Sequence, residues 1–160
     1  MVKKIRKVLK VIAMFAIIAF TVEGNKRYKM KLKKEQDYGK KMSSYYMLLN
    51  KWMLIKQQGK SLADYFHKKG IASVAIYGYK ELGERVYDEL KETDIDVKYI
   101  IDQNMYISTE IDKYSPDDEL PLVDAVIVTV IYSFDEIEDV LCENIDCPII
   151  SLEEVVNSIF

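Results

Sequence analysis

One stretch, Val74-Ala75-Ile76-Tyr77-Gly78-Tyr79-Lys80-Glu81-Leu82-Gly83, limits the folds open to this chain more than any other. Four apolar residues in a row are too continuous for a strand with one wet face. Residues 74–77 therefore read as a central parallel strand covered on both sides. Gly78 breaks the strand. A helix is expected from Glu81 to about Lys91, burying Leu82, Val86 and Leu90 at four-residue spacing, with Asp88 and Glu89 facing out. Strand, glycine turn and helix in that order is the layout in which α/β proteins hold a phosphate.

The alternation continues downstream. Val97-Lys98-Tyr99-Ile100-Ile101-Asp102 predicts a second strand, and the stretch from Met105 to Tyr114 predicts a loop with a short third strand near Ile111. Pro116 follows Ser115 at the first position of a short helix or turn. Residues 123–130 contain a fourth strand and 147–151 a fifth. Ser133-Phe134-Asp135-Glu136 and Ser151-Leu152-Glu153-Glu154 have capping-box spacing, and Ser61-Leu62-Ala63-Asp64 resembles one. They predict helices with core faces at Phe134, Ile137 and Leu141, and at Val155, Val156 and Ile159, and a helix from about 61 to Lys69 stopped by Gly70. Parallel strands need crossovers. The expected class is thus α/β, a five-stranded, mostly parallel Rossmann-like sheet in order 3-2-1-4-5 with helices on both faces. Its ligand crevice falls at the carboxyl ends of strands one and four.

Charge divides the chain. Residues 1–60 hold 16 Lys+Arg against 3 Asp+Glu, and the other residues hold 7 against 23. A basic half suits nucleic acid or an anionic membrane surface. The uncharged run from Val11 to Val22 decides for the membrane and against nucleic acid. With Val8 and Leu9 it makes a membrane segment at 8–22, short of the about 20 apolar residues of an ordinary span. Signal anchor, cleaved signal peptide and interfacial helix all remain open. Val22-Glu23-Gly24 is a poor cleavage site. The basic run Lys26, Arg27, Lys29, Lys31, Lys33, Lys34 suits a cytoplasmic membrane face, which places the carboxyl-terminal domain in the cytoplasm. Tyr38, Met42, Tyr45, Leu49 and Trp52 then follow at 4-3-4-3 spacing. That stripe predicts a helix packed on the next domain or pairing with a second copy or a partner protein. The expected organisation is a membrane-anchor segment at 1–25, a basic juxtamembrane amphipathic helix at 26–60 and the Rossmann-like domain at 61–160.

The candidate site is Gly78, Tyr79, Lys80, Glu81, Leu82, Gly83, Asp102, Gln103, Asn104, Thr129 and Tyr132. A dinucleotide fingerprint has glycine where Lys80 stands, so that the backbone can approach a pyrophosphate. Lys80 crowds that approach but adds a cation beside a helix N-terminus. Glu81 suits the helix dipole and repels an anion. Asp102 ends the second strand 24 residues after Gly78, where an acid would accept from a ribose diol or cap the Gln103-Asn104 loop. Thr129 and Tyr132 face the same crevice by topology. A tight packing turn without a ligand is the competing reading.

Catalytic groups are not evident. His67 is the single histidine and reads as a surface or capping residue on its helix, so no Ser/His/Asp set can be assembled. Tyr87 and Lys91 lie outside the crevice. Cys142 and Cys147 read as free thiols in a reducing compartment, and with His67 distant they make no metal site.

Ile76-Tyr77-Gly78-Tyr79-Lys80-Glu81-Leu82-Gly83 followed by Val97-Lys98-Tyr99-Ile100-Ile101-Asp102-Gln103-Asn104 resembles the small Rossmann-like modules of bacterial surface-polysaccharide enzymes. These are the nucleotide-sugar-binding part of sugar-nucleotide acetyltransferases and the nucleotide-binding core of the epimerase/dehydratase group. The resemblance covers about residues 70–152. It implies that the 78–83 turn and Asp102 bind a nucleotide or nucleotide-sugar, with Lys80 arguing against NAD. The catalytic portions of those enzymes have no counterpart in this chain. The expectation is a membrane-tethered, non-catalytic binding module serving cell-surface polysaccharide synthesis. The alternatives are a ligand-free interaction module using helix 38–55 and, more remotely, an epimerase- or reductase-like subunit.

Overall fold

The computed structural model describes the backbone of residues 2–104, 106 and 108–160; within the first helix it describes the side chains of Met14 and of residues from Phe20 onward. The chain forms two compact units, Met1–Tyr45 and Tyr46–Phe160. Helix α1 (Val2–Gln57) supplies all of the first and the opening of the second. Next come α2 (Ala63–Lys69), β1 (Ser73–Tyr77), α3 (Glu81–Leu90), β2 (Asp96–Ile101), β3 (Lys113–Tyr114) and β4 (Ala125–Val128). A 3-10 turn (Ile131–Ser133), α4 (Phe134–Leu141), β5 (Ile149–Ser151) and α5 (Leu152–Ile159) complete the fold.

The five strands form one sheet in order β3-β2-β1-β4-β5, and every neighbouring pair is parallel. β1 is central because its residues are apolar on both faces. Ala75 and Tyr77 join Tyr99, Ile101, Val126, Val128 and Leu141 in one core cluster. Val74 and Ile76 point the other way and are equally buried, as are Ile100 and Ile127. A strand buried on both sides needs covering layers above and below, which the crossover helices provide.

Several local expectations are corrected. β3 lies at Lys113–Tyr114, two residues past Ile111; only Ile100↔Lys113 and Ile101↔Tyr114 pair. The loop before it was expected to start at Met105, which lies outside the described residues. Ser133 makes no side-chain cap on α4, because the 3-10 turn holds it at φ −129°, ψ 28°. Ser151 does cap α5, its hydroxyl accepting from Glu154 N at 3.0 Å. At the start of α2 the Asp64 carboxylate accepts from Ser61 N at 2.8 Å.

Glu89 does not face out. Its side chain is 8% exposed. Its carboxylate accepts from Trp52 Nε1 at 2.8 Å, Leu62 N at 2.8 Å and Ser61 Oγ at 3.0 Å, with Lys56 Nζ at 3.2 Å. One acid thus fastens the end of α1 and the start of α2 to α3. Only part of the predicted aromatic stripe is buried. Leu48, Trp52 and Ile55 enter the core of the second unit, whereas Tyr38, Met42 and Leu49 remain exposed.

Among the described residues no helix is long and apolar enough to cross a membrane. Most of the expected anchor at 8–22 has side chains outside the described residues.

Candidate functional site

The strand order reverses direction between β1 and β4, and that switch point is where an open α/β sheet leaves a crevice at its carboxyl edge. The chain leaves β1 through Gly78 at φ +86°. A side chain there would be strained, and its Cβ would meet Val130 Cγ2 at 2.8 Å and Thr129 Oγ1 at 3.0 Å. Gly83, in the first turn of α3, is held more tightly still. A Cβ on it would stand 2.1 Å from the Gly78 carbonyl oxygen. The two glycines therefore let the start of α3 sit directly on the end of β1, which aims the first-turn amides of the helix at the crevice.

Three groups brace this turn. Gly78 N donates to Ile101 O at 2.8 Å, tying it to β2. The Thr129 hydroxyl donates to Gly78 O at 2.7 Å, tying it to β4. Asp102, 8% exposed, accepts from Tyr79 N at 2.7 Å through Oδ2 and from Asn104 N at 2.8 Å through Oδ1. Each carboxylate oxygen retains acceptor capacity beyond that one bond. Asp102 thus caps its own loop, as its position at a strand end allows, and also braces the Gly78 turn through the Tyr79 amide.

Gly78, Tyr79, Leu82, Gly83, Asp102, Asn104 and Thr129 are brought together by this network and by α3 packing. Lys80 and Glu81 are exposed at the mouth, and Lys80 takes an extended backbone at the head of α3 without a side-chain cap. Gln103 is exposed and reaches the Tyr77 hydroxyl. Tyr132 sits half exposed on the 3-10 turn after β4.

Tyr79 is buried, with its ring edge-on to Tyr87 at 6.1 Å and its hydroxyl bonded to Thr109. Burial pushes its hydroxyl above the ordinary tyrosine range. Tyr77 is shifted the same way, by burial first and then by the Asp102 charge. Both phenols hold their protons, so they are donors and not bases. Tyr77 and Thr109 were missed by sequence reasoning. Tyr77 looked like plain core, and Thr109 lies in a loop with no periodicity to place it.

The remaining reactive groups lie elsewhere. His67 pairs with Asp94 at 2.7 Å on the surface. Lys91 lies over the Tyr87 ring at 5.4 Å. Cys142 and Cys147 are both free thiols, and burial raises the Cys147 thiol. Among the described residues no group of three or more His, Cys, Asp or Glu side chains is placed to hold a metal ion. Among the described residues the turn is surrounded by backbone amides, the Thr129 hydroxyl, the Asp102 and Glu81 carboxylates and Lys80. That set suits a polar ligand. No protein-family model, curated protein or solved structure matches the chain.

Proposed function

We propose that the chain is a membrane-tethered, non-catalytic module that binds a nucleotide or nucleotide-sugar at the carboxyl edge of its sheet, in service of cell-surface polysaccharide synthesis. The observation that carries this reading is the close seating of α3 on the Gly78 turn with Asp102 on the adjoining amide. The diphosphate lies over the amides at 80–83, with Lys80 as the one cation within 78–84. The ribose lies toward Asp102. Glu81 and Glu84 in the first turn of α3 weaken the hold on highly charged phosphates, and Lys80 fills space a dinucleotide needs. A nucleotide-sugar or mononucleotide is therefore favoured over NAD.

The tether is supported by the uncharged run at 11–22 and by exposed Phe20 and Val22 just before the basic stretch at 26–34. Such a segment holds a membrane by apolar insertion together with attraction to anionic lipid. The cytoplasmic side follows from that basic stretch.

Thermal melting of the full chain with a UDP-sugar, ATP or NAD at millimolar concentration tests this reading. A ligand at 100 times its Kd adds about 2.7 kcal/mol. The UDP-sugar or ATP is expected to raise Tm, NAD less, and Lys80→Glu to reduce the gain. No rise with any of the three sinks the reading. A second reading, a ligand-free interaction module, is favoured by the exposed aromatic and methionine side chains on α1.

A further inference from the structure

Glu89 stands where a helix least favours an acid. It lies in the last turn of α3, at the negative end of the helix dipole, with its side chain 8% exposed. Both carboxylate oxygens are engaged. Oε2 accepts from Trp52 Nε1 at 2.8 Å. Oε1 accepts from Leu62 N at 2.8 Å and Ser61 Oγ at 3.0 Å, with Lys56 Nζ at 3.2 Å. These donors come from the end of α1 and from the residues that lead into α2. Adhesion between helices does not call for such a group, because a well-packed apolar side chain of similar volume holds as well or better. What directional bonds to both oxygens add is geometry. They fix how far α3 sits along its axis and how it is rotated.

The opposite end of α3 has no slack. A Cβ on Gly83 would stand 2.1 Å from the Gly78 carbonyl oxygen, and Glu84 N donates to Lys80 O at 2.8 Å. The helix is 10 residues long, about 15 Å, and a packed helix of that length moves as a rod. A slide or rotation set at Glu89 therefore arrives at Gly83. A second contact runs beside the helix backbone. The Tyr79 ring packs edge-on against Tyr87 at 6.1 Å, and Tyr79 N is the amide that Asp102 holds. Gly83 and Tyr87 thus both tie the turn to the position of α3.

We propose that Glu89 is a positioning residue for the turn from Gly78 to Gly83. Its clasp on Trp52, Ser61 and Leu62 sets the axial position of α3, and α3 sets the turn. The end of α1, through Trp52, then bears on the shape of the carboxyl edge. The consequence for a ligand rests on the nucleotide reading; the effect on the turn does not.

Backbone amide shifts of the nitrogen-labelled full chain in neutral detergent, recorded first without ligand and then with a UDP-sugar, test the proposal. Glu89→Gln turns one acceptor oxygen into a donor facing the clasp. It is expected to shift the Gly78, Tyr79 and Gly83 amides and to raise the Kd for the UDP-sugar about 10-fold. Trp52→Phe removes one donor and is expected to shift the same amides by less. It decides the matter if Glu89→Gln fails to fold. Tyr65→Phe is the control. It removes the 2.8 Å bond from Tyr65 to Glu154, between α2 and α5, and is expected to leave the turn amides unmoved. Turn amides that shift with the clasp variants and not with Tyr65→Phe support the proposal. Unmoved turn amides in a folded clasp variant overturn it, and so does an equal shift in Tyr65→Phe, which marks a general loosening. Where the wild type binds the UDP-sugar, an unchanged Kd in Glu89→Gln overturns it too. A wild type that takes no UDP-sugar sinks the nucleotide reading, and the ligand-free amides still decide this one.

Discussion

Two aspartates brace the two ends of β1, and they do it differently. At the amino end Asp124 uses a single oxygen, Oδ2, to accept from Ser73 N at 2.8 Å, Ser73 Oγ at 2.9 Å and Ala72 N at 3.0 Å. It is exposed, and water can replace any of these bonds. At the carboxyl end Asp102 is buried and gives one oxygen to each of two amides, on two different loops. The first arrangement staples the strand that leads into β4 onto the start of β1. The second holds the Gly78–Tyr79 turn and the loop after β2 in shape together. The same residue type serves as a closure at one end and as the brace of a glycine turn at the other. What separates them is burial and the glycine turn beside Asp102.

The glycines mark the sharpest contrast. Nothing at the amino end is as crowded as the approach of α3 to Gly78. Gly83→Ala forces a Cβ against backbone, and we expect a loss of about 3 kcal/mol by urea unfolding. An effect near zero would mean that α3 can slide away and that the turn is not pre-shaped. Asp102→Ala comes next. It strands the buried amide of Tyr79 and releases that of Asn104 on the exposed loop, for an expected loss of about 2 kcal/mol. Asp124→Asn has the smallest effect near neutral pH, and its signature is the pH dependence. The Ala72 and Ser73 amides and the Ser73 hydroxyl hold the Asp124 carboxyl below the usual carboxylate range. A folded-state value below the unfolded one, about 3.9, gives stability that is present above that pH. It is lost as pH falls through the lower folded value. The gap between wild type and Asp124→Asn should therefore narrow below about pH 4 in melts taken across that range. A constant gap would assign the effect to something other than the charge.

The sheet was legible because its strands are short apolar runs between helical periods, and apolar runs on both faces leave little choice of position. Crossovers called for a parallel sheet, and order 3-2-1-4-5 was the expectation for a doubly wound one, which the sheet has. The third strand was misplaced because Lys113 and Tyr114 carry no periodicity; their pairing is set by Ile100 and Ile101 across the ladder. Glu89 was read as outward from the helical repeat, which cannot show that a tryptophan from 37 residues earlier donates to it. The stripe on α1 was ambiguous for a related reason. Residues 45–49 and 52–55 are apolar nearly all round, so spacing alone does not decide between the face through Leu48, Trp52 and Ile55 and the face through Tyr46, Leu49 and Met53. At the site, the turn and Asp102 were legible as a pair. The bond from Tyr79 N to Asp102 was not, because it depends on where two loops meet.

The most direct test is residue-resolved. Backbone amide shifts of the nitrogen-labelled full chain, titrated with a UDP-sugar, compare the two ends of β1 within one sample. Saturable shifts at Gly78, Tyr79, Leu82, Gly83 and Asn104, with Ala72 and Ser73 unmoved, are the predicted result. No shift at 78–83, or binding that moves only residues away from the carboxyl edge, would contradict the account.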